Sequence, residues 1–187
     1  MTPVLTTERL ILRGAAETDV PALLRFFDEN RAHMAPWETS RPEGFHTEEF
    51  WRVQVARHRR AFDDGTALML FLFPRSDPRE VYGQVSFTSI VRGPAEMCMV
   101  GYALAEKAQG HGYMHEALRA SIDYVFAELN LHRVNAALMP HNLRSNAVLR
   151  RLGFTVEGYA RDYLFIDGAW RDHVLTSLLN PSWKSPD

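Results

Sequence analysis

The sequence has a single cysteine, Cys98, and no long run of apolar residues. One cysteine cannot form a disulfide within the chain, and this usage is typical of a reducing compartment. No stretch reaches the roughly 18 consecutive apolar residues of a membrane helix, and the N-terminus lacks the charged and then apolar profile of a signal peptide. We therefore expect no membrane partner and a cytoplasmic location.

An excess of charge of either sign is also missing. The chain has 21 Lys and Arg against 23 Asp and Glu, a formal net charge of −2. This balance argues against a protein that binds the phosphate backbone of nucleic acids, so no direct nucleic-acid partner is expected. The 46% hydrophobic content argues against disorder. At 187 residues the chain fits one domain, which buries about 70% of its unfolded surface without a structural metal.

Hydrophobic periodicity predicts a mixture of helices and strands, which is an α+β arrangement. The predicted helices begin near Asp19, Thr47 and Asn142, and a long one covers residues 112–129. Strands are predicted over residues 7–13, 68–73, 81–91, 97–104, 134–139, 163–166 and 170–178. The three successive strands from 68 to 104 predict an antiparallel meander, and Asp167-Gly168 predicts a closing hairpin.

The segment Gly101–Met114 has the clearest ligand-binding pattern, a strand that enters a glycine-containing loop and then a long helix. Gly110 and Gly112 let the backbone approach a ligand, and the free N–H groups of the first helical turn favour an anion such as a pyrophosphate. An ordinary turn at a helix start explains the same glycines. The loop lacks the Gly-Lys-Ser/Thr of a P-loop, and a meander is the wrong context for a dinucleotide fold. His111 and His115 lack further ligands for a metal.

A second segment, Pro140–Phe154, has an Asn-x-x-Ser pattern at a helix start and ends in Leu-Gly-Phe. Alone, a capped amphipathic helix explains it. In combination with the first segment it resembles the GNAT acetyltransferases. The phosphate loop of that family has the form Gln/Arg-x-x-Gly-x-Gly/Ala, which Gln109 and Gly112 match and Met114 matches imperfectly.

Other stretches resemble the RimJ/RimL branch, whose members acetylate N-terminal residues of ribosomal proteins, and the resemblance is closest to the RimJ type. These stretches are Leu5–Leu10, Glu29–Arg31, Pro36–Glu38, Val91–Gly93, Met139–Asn142, Glu157–Ala160, Ile166–Gly168 and Trp170–His173. The resemblance covers residues 5–183. It implies one acetyltransferase domain with the GNAT fold, a mixed and strongly twisted central sheet with splayed middle strands, flanked by helices.

The resemblance also implies acetyl-CoA as cosubstrate and no metal. The pantetheine amides would pair with the strand near residues 100–105, and the pyrophosphate would bind the N–H groups of residues 109–114. The implied acetyl-CoA residues are Val100, Tyr102, Leu104, Ala105, Gln109, Gly110, His111, Gly112, Tyr113, Met114, Asn142 and Asn146.

The usual catalytic pair of the superfamily is missing. Met99 stands where many relatives have a Glu base, and Leu149 stands where many have a Tyr acid. The resemblance implies that Ser145 serves the leaving thiolate, although a local hydrogen bond at the helix start also explains this serine. An α-amine is about one quarter neutral at pH 7.4, so it needs little help from a base. Glu38 and Asp162 are the candidate carboxylates, and structural roles for both stay open.

The acceptor pocket is expected to be bordered by Trp37, Glu38, His141, Tyr159 and Tyr163. Aromatic rings with an acidic group suit a protonated amine, although a Trp in a Pro-rich loop is as often a packing anchor. The resemblance implies the N-terminal alanine of a small-subunit ribosomal protein as the acceptor, and the chemistry of an α-amine predicts its direct attack on acetyl-CoA. A small-molecule amine acceptor and a non-catalytic acetyl-CoA-binding regulator stay open, as does the oligomeric state, a homodimer included.

Overall fold

The computed structural model describes residues 2–185, in which eight strands form one sheet in the order β1-β2-β3-β4-β5-β6-β8-β7. The strands are Val4–Thr6 (β1), Leu10–Arg13 (β2), Leu68–Pro74 (β3), Gly83–Val91 (β4), Met97–Leu104 (β5), Arg133–Leu138 (β6), Thr155–Ile166 (β7) and Ala169–Leu179 (β8). The helices are Val20–Glu29 (α1), Arg31–Met34 (α2), Glu48–Asp63 (α3), Tyr113–Ala127 (α4) and Leu143–Arg151 (α5). None of these helices is both long and apolar enough to cross a bilayer.

The middle of the sheet opens between β5 and β6. These strands run parallel and pair at only three positions, Met97 with Arg133, Cys98 with Val134 and Met99 with Asn135. Beyond Met99, β5 continues to Leu104 without pairing to β6. Every other neighbouring pair is antiparallel, including the predicted meander β3-β4-β5. The mixed sheet with splayed middle strands is thereby confirmed.

Two apolar clusters cover the two faces of the sheet. β3 serves both, because Leu70 and Leu72 point into one cluster and Phe71 and Phe73 into the other. This alternation explains why the strand reads as a continuous apolar run. Helices α4 and α5 pack into the first cluster, and α1 and α3 into the second. The site described below lies at the end of β5, where residues of both clusters meet.

Some element boundaries differ from the sequence prediction. The strand predicted over residues 7–13 begins only at Leu10 (β2), because residues 7–9 form a turn in which the Thr7 hydroxyl accepts from the Leu10 N–H, and β1 precedes that turn. Asp19 precedes α1 as predicted, but its carboxylate binds Arg13 and the N–H of Ala16 and does not cap that helix. The predicted capping by Thr47 is confirmed, since its hydroxyl accepts from the third residue of α3.

Candidate active site

A cleft of about 390 Å³ opens where β5 leaves β6, between the start of α4, the start of α5 and the segment around α2. Residues from all of these elements line it: His33, Met34, Trp37, Glu38, Tyr102, Ala103, Leu104, Gln109, Gly110, Gly112, Tyr113, Met114, His115, Asn142, Arg144, Ser145, Ala147, Val148 and Arg151.

The phosphate loop, residues 109–114, presents unused backbone donors to this cleft. Gly110 and Gly112 have φ angles of +81° and +80°, a left-handed conformation that favours glycine. Within the described chain, none of the N–H groups of residues 110 to 115 donates a hydrogen bond. The N–H of Gln109 does donate, to the carbonyl of Glu106 at 3.1 Å. The available donors therefore begin one residue later than expected, and together with the α4 dipole they fit a phosphate group.

The side chain of Gln109 joins three parts of the cleft. Its Nε2 lies 2.8 Å from Nε2 of His33 on α2, and its Oε1 accepts a hydrogen bond from Arg144 at the start of α5. The guanidinium of Arg144 is thus held beside the phosphate loop. Neither His33 nor Arg144 was predicted as a site residue. A basic residue two positions after the cap of a helix was the available signal for Arg144, whereas the contact with His33 spans 76 residues and leaves no local pattern.

Two hydroxyl groups meet on the wall of the cleft. The Tyr102 hydroxyl on β5 lies 2.5 Å from Oγ of Ser145 on α5. The Asn142 side chain caps α5 by accepting from the N–H of Ser145 at 3.0 Å, which fixes the position of this serine. Burial raises the pKa of Tyr102 to about 12, against a smaller lowering by the hydrogen bond with Ser145. Tyr102 therefore keeps its proton at neutral pH and is available as a donor to Ser145.

Glu38 lies on the wall between the cleft and a second cavity of about 350 Å³, and it lines both. Its carboxylate pairs with Arg41, whose guanidinium stacks over the ring of Phe45 at 4.1 Å. Burial raises the pKa of Glu38, and Arg41 offsets part of that rise. A partly buried carboxylate with a raised pKa is a better proton acceptor than an exposed one.

The predicted acceptor residues separate into two groups. Trp37 and Glu38 line the cleft, and the ring of His141 lies 5.5 Å from that of Trp37. Tyr159 and Tyr163 lie on the edge strand β7, outside the linings of both cavities. Asp162, the other candidate carboxylate, is on the same strand with a φ of +48°, and its N–H donates to Asp172.

Most of the predicted acetyl-CoA residues line the cleft. Four do not: Val100 and Ala105 are buried, the carbonyl of His111 accepts from Arg9, and the N–H of Asn146 donates to the carbonyl of Asn142. These four belong to the same strand, loop and helix start as the lining residues.

The residues at the two positions that depart from the superfamily pattern are part of the fold, one in the pairing of the sheet and one in an apolar cluster. Met99 forms the last paired position between β5 and β6, opposite Asn135. Leu149 is 2% exposed and belongs to the first apolar cluster. Among residues 2–185, no three His, Cys, Asp or Glu side chains are placed to share a metal ion. Since Met99 and Leu149 cannot act as acid or base, such a group must come from another position, and Ser145, Tyr102 and Glu38 are among the polar side chains that line the cleft.

Comparisons with known proteins agree with this geometry. A family model described as an acetyltransferase (GNAT) domain matches residues 9–155. The chain is 42% identical over 179 residues to the ribosomal protein uS5 alanine N-acetyltransferase of Escherichia coli K12, covering 96% of this chain and 92% of the relative. The ribosomal-protein-S5-alanine acetyltransferase of Vibrio fischeri superimposes with a TM-score of 0.93 at 36% identity, covering 98% and 100% of the two chains. Mycobacterium smegmatis RimJ, in complex with CoA-disulfide, superimposes with a TM-score of 0.87 at 27% identity, covering 98% of this chain and 89% of that one.

Proposed function

Since the chain belongs to the acetyltransferase (GNAT) family, we propose that it transfers the acetyl group of acetyl-CoA to the N-terminal alanine of a small-subunit ribosomal protein. The main support is the 42% identity to the uS5 alanine N-acetyltransferase across 96% of the chain. The cleft is consistent with this reaction, because anion donors, a pair of hydroxyls and a half-buried carboxylate line one cavity.

Acetyl-CoA supplies a thioester, and its phosphates carry the negative charge that the phosphate loop is built to meet. The N–H groups of residues 110–115 bind the pyrophosphate, and Arg144 adds a positive charge beside them. The unpaired edge of β5 beyond Met99 has backbone groups for the pantetheine amides. The diverging strands thus align the donor along β5, with its thioester end directed toward the hydroxyl pair.

The acceptor must arrive as a neutral amine and lose one proton as the new C–N bond forms. An α-amine with a pKa near 7.7–8.0 is about one quarter neutral at pH 7.4, whereas a lysine amine is neutral about one time in a thousand. Glu38 attracts the ammonium form from the second cavity, and that form loses its first proton to water. The ionised Glu38 at the boundary of the cleft then accepts the second proton, which the neutral amine loses as the C–N bond forms. Trp37, next to it, offers an aromatic face to the cation.

The leaving sulfur gains a hydrogen bond as the C–S bond breaks. Ser145 and Tyr102 have one hydroxyl proton each. When Tyr102 donates to Ser145, the Ser145 proton is free to point to the sulfur, so the pair delivers one donor to the place where negative charge develops. Ser145 then replaces the tyrosine that many relatives place at the position of Leu149.

A panel of acceptors tests this proposal. Purified protein is incubated with acetyl-CoA and either Ala-first peptides, the same peptides with a blocked N-terminus and a free lysine, or small amines such as polyamines. We expect acetylation of the free Ala N-terminus alone, located by mass spectrometry. Turnover of the small amines alone would establish a small-molecule acetyltransferase, and tight acetyl-CoA binding without any turnover would establish a regulator.

A further inference from the structure

The turn between β1 and β2, residues 7–9, contacts the start of α4 from outside the cleft. Glu116 in the first turn of α4 accepts from the Thr7 hydroxyl at 2.6 Å, from the N–H of Arg9 at 2.9 Å and from Arg9 Nε at 2.7 Å. Arg9 also donates from Nη1 to the carbonyl of His111 at 2.8 Å, and its guanidinium lies 4.6 Å from the ring of Tyr113. One arginine thus connects the helix start with the phosphate loop.

The first consequence concerns charge. Glu116 is a carboxylate in the first turn of the helix whose N-terminus faces the cleft, so its charge opposes an anion bound there. Burial alone would raise the pKa of Glu116, but hydrogen bonds from Thr7 and Arg9 outweigh burial and hold that pKa below its usual value. Glu116 is therefore ionised, and Arg9, at 2.6 Å, balances the charge.

The second consequence concerns the direction of a backbone donor. The C=O of His111 and the N–H of Gly112 belong to one trans peptide, in which the two groups point in opposite directions. Because the carbonyl is held by Arg9, the N–H of Gly112 must point away from Arg9. Gly112 lines the cleft, and its N–H donates to no residue of the described chain. Arg9 thereby leaves this donor available to a ligand.

We propose that Arg9 is a positioning residue for the donor phosphates: it orients the phosphate loop and neutralises Glu116, so that the loop binds the diphosphate of acetyl-CoA. This inference rests on the proposed use of acetyl-CoA. Arg9 does not line the cleft, and under the proposed function the pantetheine and acetyl ends of the donor are held by other residues. Loss of Arg9 should therefore weaken binding only of donors that contain the diphosphate.

Two acetyl donors separate this role from a general structural one. Arg9→Met retains the apolar stem but removes the donors, and we expect its KM for acetyl-CoA and its Kd for CoA to rise roughly 10-fold, as for one lost charge-assisted hydrogen bond. With S-acetyl-pantetheine, which lacks the diphosphate, kcat/KM should equal that of the wild type. Arg9→Lys restores a charge but not the forked geometry, so it should recover part of the affinity.

Arg13 on β2 provides a matched control. It forms a comparable ion pair, with Asp19 at 2.6 Å, and its guanidinium lies over the ring of Phe73 at 3.9 Å. It has no contact with the phosphate loop. Arg13→Met should lower the melting temperature to a similar extent as Arg9→Met but leave the KM for acetyl-CoA unchanged.

Several results would overturn the assignment of Arg9. Equal losses with both donors would show a general structural role, as would an equal rise in the KM for acetyl-CoA in Arg13→Met. If Arg9→Met fails to fold, the same comparison is made with Arg9→Lys, and unchanged affinity there would refute the role. Calorimetric measurement of CoA binding separates the role of Arg9 from the proposed function, because this measurement needs no acceptor amine. A wild type that does not bind CoA refutes the proposed function as well, whereas normal binding by both variants refutes only the role of Arg9.

Discussion

Tyr102 and Ser145 lie 43 residues apart in the chain, and their hydroxyl oxygens are 2.5 Å apart at the wall of the cleft. β5 carries the tyrosine, and the first turn of α5 carries the serine. Since burial keeps Tyr102 protonated, the tyrosine can hold the serine hydroxyl with its proton directed to a ligand. The pair is a candidate replacement for the missing tyrosine acid.

Removal of the serine hydroxyl should reduce kcat. We expect Ser145→Ala to lower kcat roughly 10- to 100-fold at saturating substrates, as when one hydrogen-bond donor to a developing anion is lost. Tyr102→Phe should have a smaller effect, and the double variant should be no slower than Ser145→Ala, because the two residues act through one proton. Steady-state kinetics of the three variants measure this. Full kcat in Ser145→Ala would rule out its role at the sulfur.

Arg144 should contribute to the affinity for the donor. Arg144→Ala is expected to raise the Kd for CoA roughly 10-fold, with a larger effect at low salt, because a cation beside the phosphate loop is lost. Arg150→Ala on the same helix is the control, because Arg150 is exposed and does not line the cleft. Isothermal titration of CoA at two salt concentrations compares the variants. Equal losses for both would indicate a diffuse charge effect and no specific contact of Arg144.

Cys98 should be unreactive in the folded protein. It lies on β5 but is fully buried, and burial raises its pKa to about 12, so thiolate is scarce at neutral pH. A chromogenic disulfide reagent should label it only after unfolding in denaturant. Cys98→Ala should retain kcat, since transfer between a thioester and an amine needs no protein nucleophile. Rapid labelling of the native protein would contradict this expectation.

The elements were predictable where the signal was local. The apolar run of β3, the helix face of α4 and the Asn142 cap all follow from residues close together in the sequence. The contacts that complete the site could not be predicted, because sheet order brings together residues that are far apart in the chain. Tyr102 and Ser145, or Arg9 and Glu116 at a separation of 107, leave no periodic pattern.

The splay of β5 and β6 came from the resemblance and not from periodicity, since burial alternates along the whole of β6 and along β5 as far as Val100, which is ordinary for paired strands. The structure also separates the two candidate carboxylates. Glu38 lies on the cleft wall and Asp162 on an edge strand, although no sequence pattern favoured one over the other. Such a choice depends on which loop folds back over the open strands, and only the tertiary contacts of the Pro-rich segment decide that.

Glu38 should be detectable as a base in the pH dependence of the reaction. Ionised Glu38 and a neutral amine are both required, so log kcat/KM should rise with pH with a slope of about one below the amine pKa, and more steeply below the pKa of Glu38. Burial raises that pKa above its ordinary value of 4.5. Glu38→Gln should be about 10- to 100-fold slower and should lose the steeper acid limb.

Arg41 should set the pH at which the steeper acid limb of the kcat/KM profile begins. Its charge and hydrogen bond lower the pKa of Glu38 against the effect of burial, so removing them in Arg41→Met should raise the pKa further and shift the limb to higher pH. Arg52→Met is the control, because it breaks a similar pair with Glu48 on α3, away from the cleft. Profiles of kcat/KM from about pH 5 to 9 compare the variants. A limb that stays in place in Arg41→Met, or that persists in Glu38→Gln, would mean that the proton leaves through water and not through Glu38.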